Sequence, residues 1–167
     1  MTRLVAHRCI FPSRLARNPP ILRRSRSAGP IPSSVHPSLK FEHFALNVPD
    51  PVRMAQWYVA NLGFQVLRGC DTGSRTHFLA DETGRVCLEI YRNQAAPVPD
   101  YASQDPLVFH FAVFAADAKE LRARLVQAGA RLQTEDTLPD GSGIVMLRDP
   151  WGVALQICQR AQPFPGF

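Results

Sequence analysis

"EHFALNVPD", residues 42–50, has a counterpart in "FHFAVFAAD", residues 109–117; both contain His-Phe-Ala, and His43 and His110 lie 67 residues apart. "VCLEI" at 86 and "VALQI" at 153 repeat the same offset, so that Glu89 corresponds to Gln156. Two short matches at one common spacing are far harder to obtain by chance than either alone, and they mark an internal repeat.

The halves read alike between these anchors. "DPVRMAQWYVANLGF" (50–64) sets Val52, Ala55, Trp57, Tyr58 and Leu62 at a mostly helical spacing and stops at Asn61-Leu62-Gly63. "DAKELRARLVQAGA" (117–130) opens on Asp117 as an N-cap, has Glu120 three residues on, and ends at Gly129. Each helix precedes three short strands: "FQVLRG", "RTHFLAD" and "RVCLEIY" first, then "ARLQTE", "SGIVMLRD" and "VALQICQ". "DTGS", "DETG", "LPDGSG" and "DPWG" supply the turns. The pattern predicts an α+β fold of two βαβββ modules in tandem, at 40–92 and 107–159. The proline-bearing stretch 93–106 is the expected linker and 160–167 a short tail.

Successive side chains of a strand point to opposite faces. Phe44, Leu46 and Val48 claim one face, and His43 sits on the other with Ala45 and Asn47. By the same alternation Glu89 shares a face with Cys87 and Tyr91, His110 with Ala112 and Phe114, and Gln156 with Ala154 and Cys158. One helix covers one face of each sheet, so the polar-bearing face is expected to close against its twin. His43, Glu89, His110 and Gln156 would then point into a shared concavity. Two imidazoles, a carboxylate and an amide oxygen suit one divalent ion: Ni, Zn, Fe, Mn or Co. Taken singly, each of these residues reads as a hydrogen-bonded structural group. The repeat shifts the balance, because polar groups recur at matching positions on a face that is costly to make polar.

The charge balance is local. Residues 1–40 hold seven arginines and Lys40 with no acid, a net of +8, while the remaining residues net −3. The pI of 9.4 therefore belongs to the leader, and with it any case for nucleic-acid binding. Residues 1–39 are expected to be a disordered Arg/Pro/Ser-rich leader or an over-extended start. A mitochondrial transit peptide is the second reading, with a matrix location in place of a cytoplasmic one. Cys9, Cys70, Cys87 and Cys158 show neither a CxxC pair nor zinc-finger spacing, which fits a reducing compartment. No apolar run reaches the length of a membrane-spanning helix, and no membrane partner is expected.

On "HFALNVPDP…WYVANLGFQV", "GRVCLEIY", "FHFAVFAAD" and "LRDPWGVALQI", residues 40–159 resemble the vicinal oxygen chelate superfamily, the glyoxalase/bleomycin-resistance/extradiol-dioxygenase group. The resemblance implies an open, cupped, eight-stranded barrel-like sheet around one divalent metal ion. It carries over metal ligation to His43, Glu89, His110 and Gln156 in order. It further implies a small-molecule substrate and a homodimer. The activity it implies first is that of a glyoxalase-like lyase or isomerase, using metal-stabilised enolate chemistry with Glu89 as base. Two alternatives stay open: an Fe(II)-dependent extradiol-type dioxygenase and a metal-free, resistance-type binding protein. Tyr91, Asn93, His77 and Arg148 are substrate-pocket candidates. Asn93 stands four residues after Glu89, where bacterial glyoxalases contact glutathione. Those relatives also carry an Arg four residues after the first ligand, where this chain has Asn47.

Overall fold

The elements follow the order that the repeat predicts. In the computed structural model, which describes residues 39–165, module one is β1 (Phe44–Asn47), α1 (Pro51–Leu62), β2 (Gln65–Gly69), β3 (His77–Ala80) and β4 (Val86–Tyr91). Module two is β5 (Phe111–Phe114), α2 (Ala118–Gln127), β6 (Arg131–Thr137), β7 (Gly143–Arg148) and β8 (Ala154–Gln159). The readings of the leader fall, Leu39 apart, outside the described residues. Among those described, no helix is long and apolar enough to cross a membrane.

Local chemistry sets the helix ends. Asp50 caps α1 by accepting from the Arg53 N–H, Pro51 opens the first turn, and Gly63 ends it at φ +71°. The Asp117 carboxylate accepts from the Glu120 N–H at 2.9 Å to start α2. Each module forms one four-stranded sheet, in the orders β1-β4-β3-β2 and β5-β8-β7-β6. The parallel pairs keep the repeat's register: Ala45 lies opposite Glu89, and Ala112 opposite Gln156.

The modules pack about an internal twofold. Phe44 and Phe111, equivalent by the 67-residue offset, touch with ring centroids 6.0 Å apart. Trp57 Nε1 donates to the Ala128 carbonyl at 2.8 Å, and Arg124 Nη2 to the Asn61 carbonyl at 3.4 Å. Positions 124 and 128 are 57 and 61 shifted by the same offset, so the two contacts are reciprocal, as in an isologous interface.

The faces that meet within one chain are thus the helix-bearing ones, which corrects the expected closure of the polar-bearing faces on each other. Leu46, Leu88 and Ile90 share a single core with Phe111, Leu155 and Ile157. The reason lies in α1, whose apolar surface is wider than its own sheet covers. Tyr58 reaches Phe111 and Trp57 reaches Trp151 in the other module. The opposite faces are open in part: Ala45, Ala112 and Phe114 are exposed, whereas Asn47, Ala154 and Cys158 are buried.

Two buried polar groups hold the linker against this core. Asn47 Nδ2 lies 3.1–3.2 Å from the carbonyls of Asn93, Ala96 and Pro97, and its Oδ1 accepts from the Asn93 N–H at 2.9 Å. Arg148 is buried and donates to the carbonyls of Tyr101, Gly152 and Gln104. Gly152, in the "DPWG" turn, sits at φ +86°, and a Cβ there would meet Ala102 Cβ at 2.8 Å. Both the backbone angle and the space demand glycine at this point.

Asp149 of that turn is buried and accepts from the Tyr58 hydroxyl at 2.6 Å and from the N–H groups of Trp151 and Val153. Burial outweighs these bonds and pushes its carboxyl up from 3.8 to about 6. The folded chain therefore holds this proton more tightly than the unfolded chain. Its contribution is fully present below about pH 4 and is lost as pH rises through about 6. Relative to Asp149→Asn, the wild type is expected to lose on the order of 3 kcal/mol between pH 4 and 6.5 in urea titrations. At fixed pH, Tyr58→Phe is expected to cost about 1–3 kcal/mol by the same measurement, since it strands a buried acceptor.

Candidate metal centre

His43 and His110 each stand one residue before an edge strand, held by a hydrogen bond at Nδ1. His43 Nδ1 lies 2.6 Å from Glu42 Oε2, and His110 Nδ1 lies 2.8 Å from the Pro106 carbonyl oxygen. Both partners can only accept, so each Nδ1 carries a proton. This orientation is common in metal-ligating histidines, in which the second nitrogen donates to a carboxylate or carbonyl. The edge of the Phe78 ring, 5.6 Å away by centroids, further fixes the His43 imidazole.

His43 Nε2 faces Glu89 Oε2 at 3.2 Å, both side chains being about three-quarters buried. With Nδ1–H given to Glu42, the Nε2–Oε2 contact holds either a second ring proton, which makes His43 an imidazolium between two carboxylates, or a cation shared by both atoms. Two donors bound at about 2.1 Å to one ion and at a right angle stand about 3 Å apart, so the pair fits a shared metal ion. Among the described residues no group of three His, Cys, Asp or Glu side chains is placed to hold a metal. The single chain thus brings His43 beside Glu89, and His110 completes no group of three with them.

His110 and Gln156 stand on module two at the positions equivalent to His43 and Glu89. Gln156 Oε1 accepts from Cys158 Sγ at 3.2 Å. His110 also lines a cavity of about 910 Å³ along β5, with Phe41, Phe44, Phe64, Phe109 and Cys87. Burial pushes the Cys87 and Cys158 thiols up from their ordinary value, which disfavours a thiolate nucleophile at either position.

The remaining sequence candidates have other partners. His77 is buried, with Nδ1 on the Arg75 carbonyl at 2.9 Å and Nε2 3.3 Å from Asp71 Oδ1. Both its nitrogens are engaged, so it clamps the β2–β3 turn. Asn93 has its N–H on Asn47, and its side chain accepts from the Ala95 N–H. Arg148 holds linker carbonyls, as described above, and Tyr91 is half-buried on β4 opposite Asn47. Glu42 was missed at the sequence level. The available signal was its position next to His43, but only the folded backbone shows that it caps Nδ1.

Nitrogen-detected imidazole spectra at pH 8 are expected to show His110 in the Nδ1–H form. His77→Ala is expected to lower the melting temperature by several degrees, since it removes a buried side chain with both nitrogens bonded.

A family model described as the Glyoxalase/Bleomycin resistance protein/Dioxygenase superfamily matches residues 40–157. A catechol-2,3-dioxygenase of Bacillus subtilis (strain 168) is 32% identical over 129 residues, covering 70% of this chain. The chain spans 44% of the length of that relative. Glyoxalase I of Zea mays superposes with a TM-score of 0.57 at 23% identity, over 72% of this chain and 44% of that one. Lactoylglutathione lyase of Agrobacterium tumefaciens gives a TM-score of 0.52 at 20% identity, over 74% and 95% of the two chains. TioX of Micromonospora sp. ML1 gives 0.53 at 23% identity, over 72% and 98%.

Proposed function

The chain belongs to the glyoxalase/bleomycin resistance protein/dioxygenase superfamily, and on that premise we propose that it is a metal-dependent lyase or isomerase acting on a small oxygenated substrate. The observation that carries this reading is the approach of His43 Nε2 to Glu89 Oε2, 3.2 Å apart on paired strands. Two such donors suit a shared divalent ion, and His110 and Gln156 stand at the equivalent positions of module two. Bound there, a divalent ion supplies Lewis-acid polarisation of substrate oxygens.

The chain's own residues then divide the work. Glu89 is the general base, taking a proton from the carbon beside a carbonyl and returning it to the neighbouring carbon. Gln156 cannot share that task, because an amide does not titrate near neutrality. Proton transfer therefore runs from one side, as suits a one-base isomerisation. His43 and His110 offer Nε2 as a nitrogen donor, with Nδ1 held by Glu42 and by the Pro106 carbonyl.

A homodimer completes the site in this reading. Each chain carries two half-sets on open faces. Phe41 and Val108, equivalent positions in the repeat, are 72% and 78% exposed beside the free edges of β1 and β5. A second copy turned about a twofold sets His43 and Glu89 of one chain against His110 and Gln156 of the other.

Reconstitution with Ni(II), Zn(II), Fe(II) and Mn(II) is expected to load about one ion per chain, and His43→Ala and His110→Ala each to abolish it. Substoichiometric metal in every case, with occupancy unchanged in both variants, would overturn the proposal. Sharing between copies has its own check. A His43→Ala/Glu89→Gln chain mixed at random with a His110→Ala/Gln156→Ala chain is expected to recover about a quarter of wild-type occupancy, from one native site per mixed dimer. A second reading, an Fe(II)-dependent extradiol-type dioxygenase, is favoured by the 32% identity to a catechol-2,3-dioxygenase. His43, Glu89 and His110 supply the two-histidine, one-carboxylate set that it needs. Assaying hemithioacetals against catechols decides between the two.

A further inference from the structure

The repeat allows the two half-sites to be compared within one molecule, and they differ at one place. Asn47 and Asn93 of module one correspond to Phe114 and Arg160 of module two. In module one this place is filled. Asn47 engages the backbone of Asn93, Ala96 and Pro97, and linker chain occupies the space beyond it. In module two it is open. Ala112, Val113, Phe114, Cys158, Arg160 and Phe164 line a cavity of about 100 Å³.

Arg160 gives that cavity its chemistry. It continues the alternation of Gln156 and Cys158 along the open face of β8. Its guanidinium carbon lies 5.2 Å from the centroid of the Phe164 ring, and Nη2 donates to Cys158 Sγ at 3.6 Å. Among the described residues no carboxylate pairs with it. The nearby Asp140 accepts from the N–H and hydroxyl of Ser142 and attracts the Arg160 guanidinium through its charge, without an ion-pair contact to it. A half-buried guanidinium resting on a ring and a thiol keeps a planar set of donors for an anion, and that fork matches a carboxylate. Cys158 Sγ lies 3.2 Å from Gln156 Oε1, so the guanidinium is within about 7 Å of the Gln156 amide oxygen.

We propose that Arg160 and the cavity beneath it are a carboxylate subsite, and that the substrate is an acid whose carboxylate lies a few bonds from its reacting oxygens. The inference rests on the reading that the open face bearing Gln156 is part of the active site, and it deepens that reading by naming the substrate class. Phe114 and Val113 line the apolar side of the cavity and receive the carbon body of the acid. Arg160 touches the substrate away from the reacting carbon, so it sets specificity and takes no part in proton transfer.

Benzoate and its neutral counterpart benzyl alcohol are suitable probes. Each is titrated into the full-length protein as isolated and after chelation, following side-chain and backbone resonances of residues 112–114 and 158–164. Benzoate is expected to bind saturably in both preparations. Arg160→Gln is expected to weaken it at least tenfold, Arg160→Lys to retain part of the binding, and Phe164→Ala to weaken it severalfold. Benzyl alcohol is expected to bind wild type and Arg160→Gln alike, and more weakly than benzoate binds wild type. Equal benzoate affinity in wild type and Arg160→Gln, or alcohol binding as tight as acid binding, overturns the proposal. Failure of metal reconstitution leaves the chelated-protein titration unaffected, so the two proposals fail separately.

Discussion

Phe44 and Phe111 meet across the internal twofold, and much of the rest follows from that meeting. They are the same residue of the repeat, one position after each half-site histidine. Their contact turns the helix-bearing faces of the two sheets toward each other, and the reciprocal bonds of Trp57 and Arg124 keep the helices in step. A chain that buries those faces must leave the other two open. The single apolar core and the two separated polar half-sets are therefore two results of one packing choice.

The near-symmetry is broken where buried polar groups do particular jobs. Tyr58 donates to Asp149 across the module boundary, whereas its counterpart in α2 is Leu125. Asn47 fastens the linker, and its counterpart Phe114 borders a cavity. Glu89 is a carboxyl group and its counterpart Gln156 an amide. In each case a duplicated position has kept its backbone register and exchanged its side-chain chemistry.

Histidine illustrates how partners decide a residue's role. His43, His77 and His110 are all placed in or beside strands, and the alternation pattern does not tell them apart. His77 has both nitrogens on acceptors and is a structural clamp. His43 likewise has an acceptor at each nitrogen, but its second is Glu89 of the paired strand β4 and not a residue of its own turn, and His110 commits Nδ1 to the Pro106 carbonyl. Arg148 and Arg160 divide in the same way. The first is buried against two linker carbonyls and that of Gly152, and the second stands over a cavity with no carboxylate in ion-pair contact among the described residues.

The 67-residue offset and the local periodicity determined the two-module organisation and the order of elements, whereas the parallel pairing of first and last strands, which brings His43 beside Glu89, appeared only in the folded chain. The former features follow from local periodicity, which a strand's twofold alternation writes directly into the residue order. Tertiary structure decided which faces meet, because the width of the apolar surface on α1 shows only when Trp57 and Tyr58 find Trp151 and Phe111. It also decided which tautomer each histidine holds and which arginine is spent, since hydrogen-bond partners come from segments far apart in the chain. The sequence names the donors, and the fold settles which of them a single chain brings together.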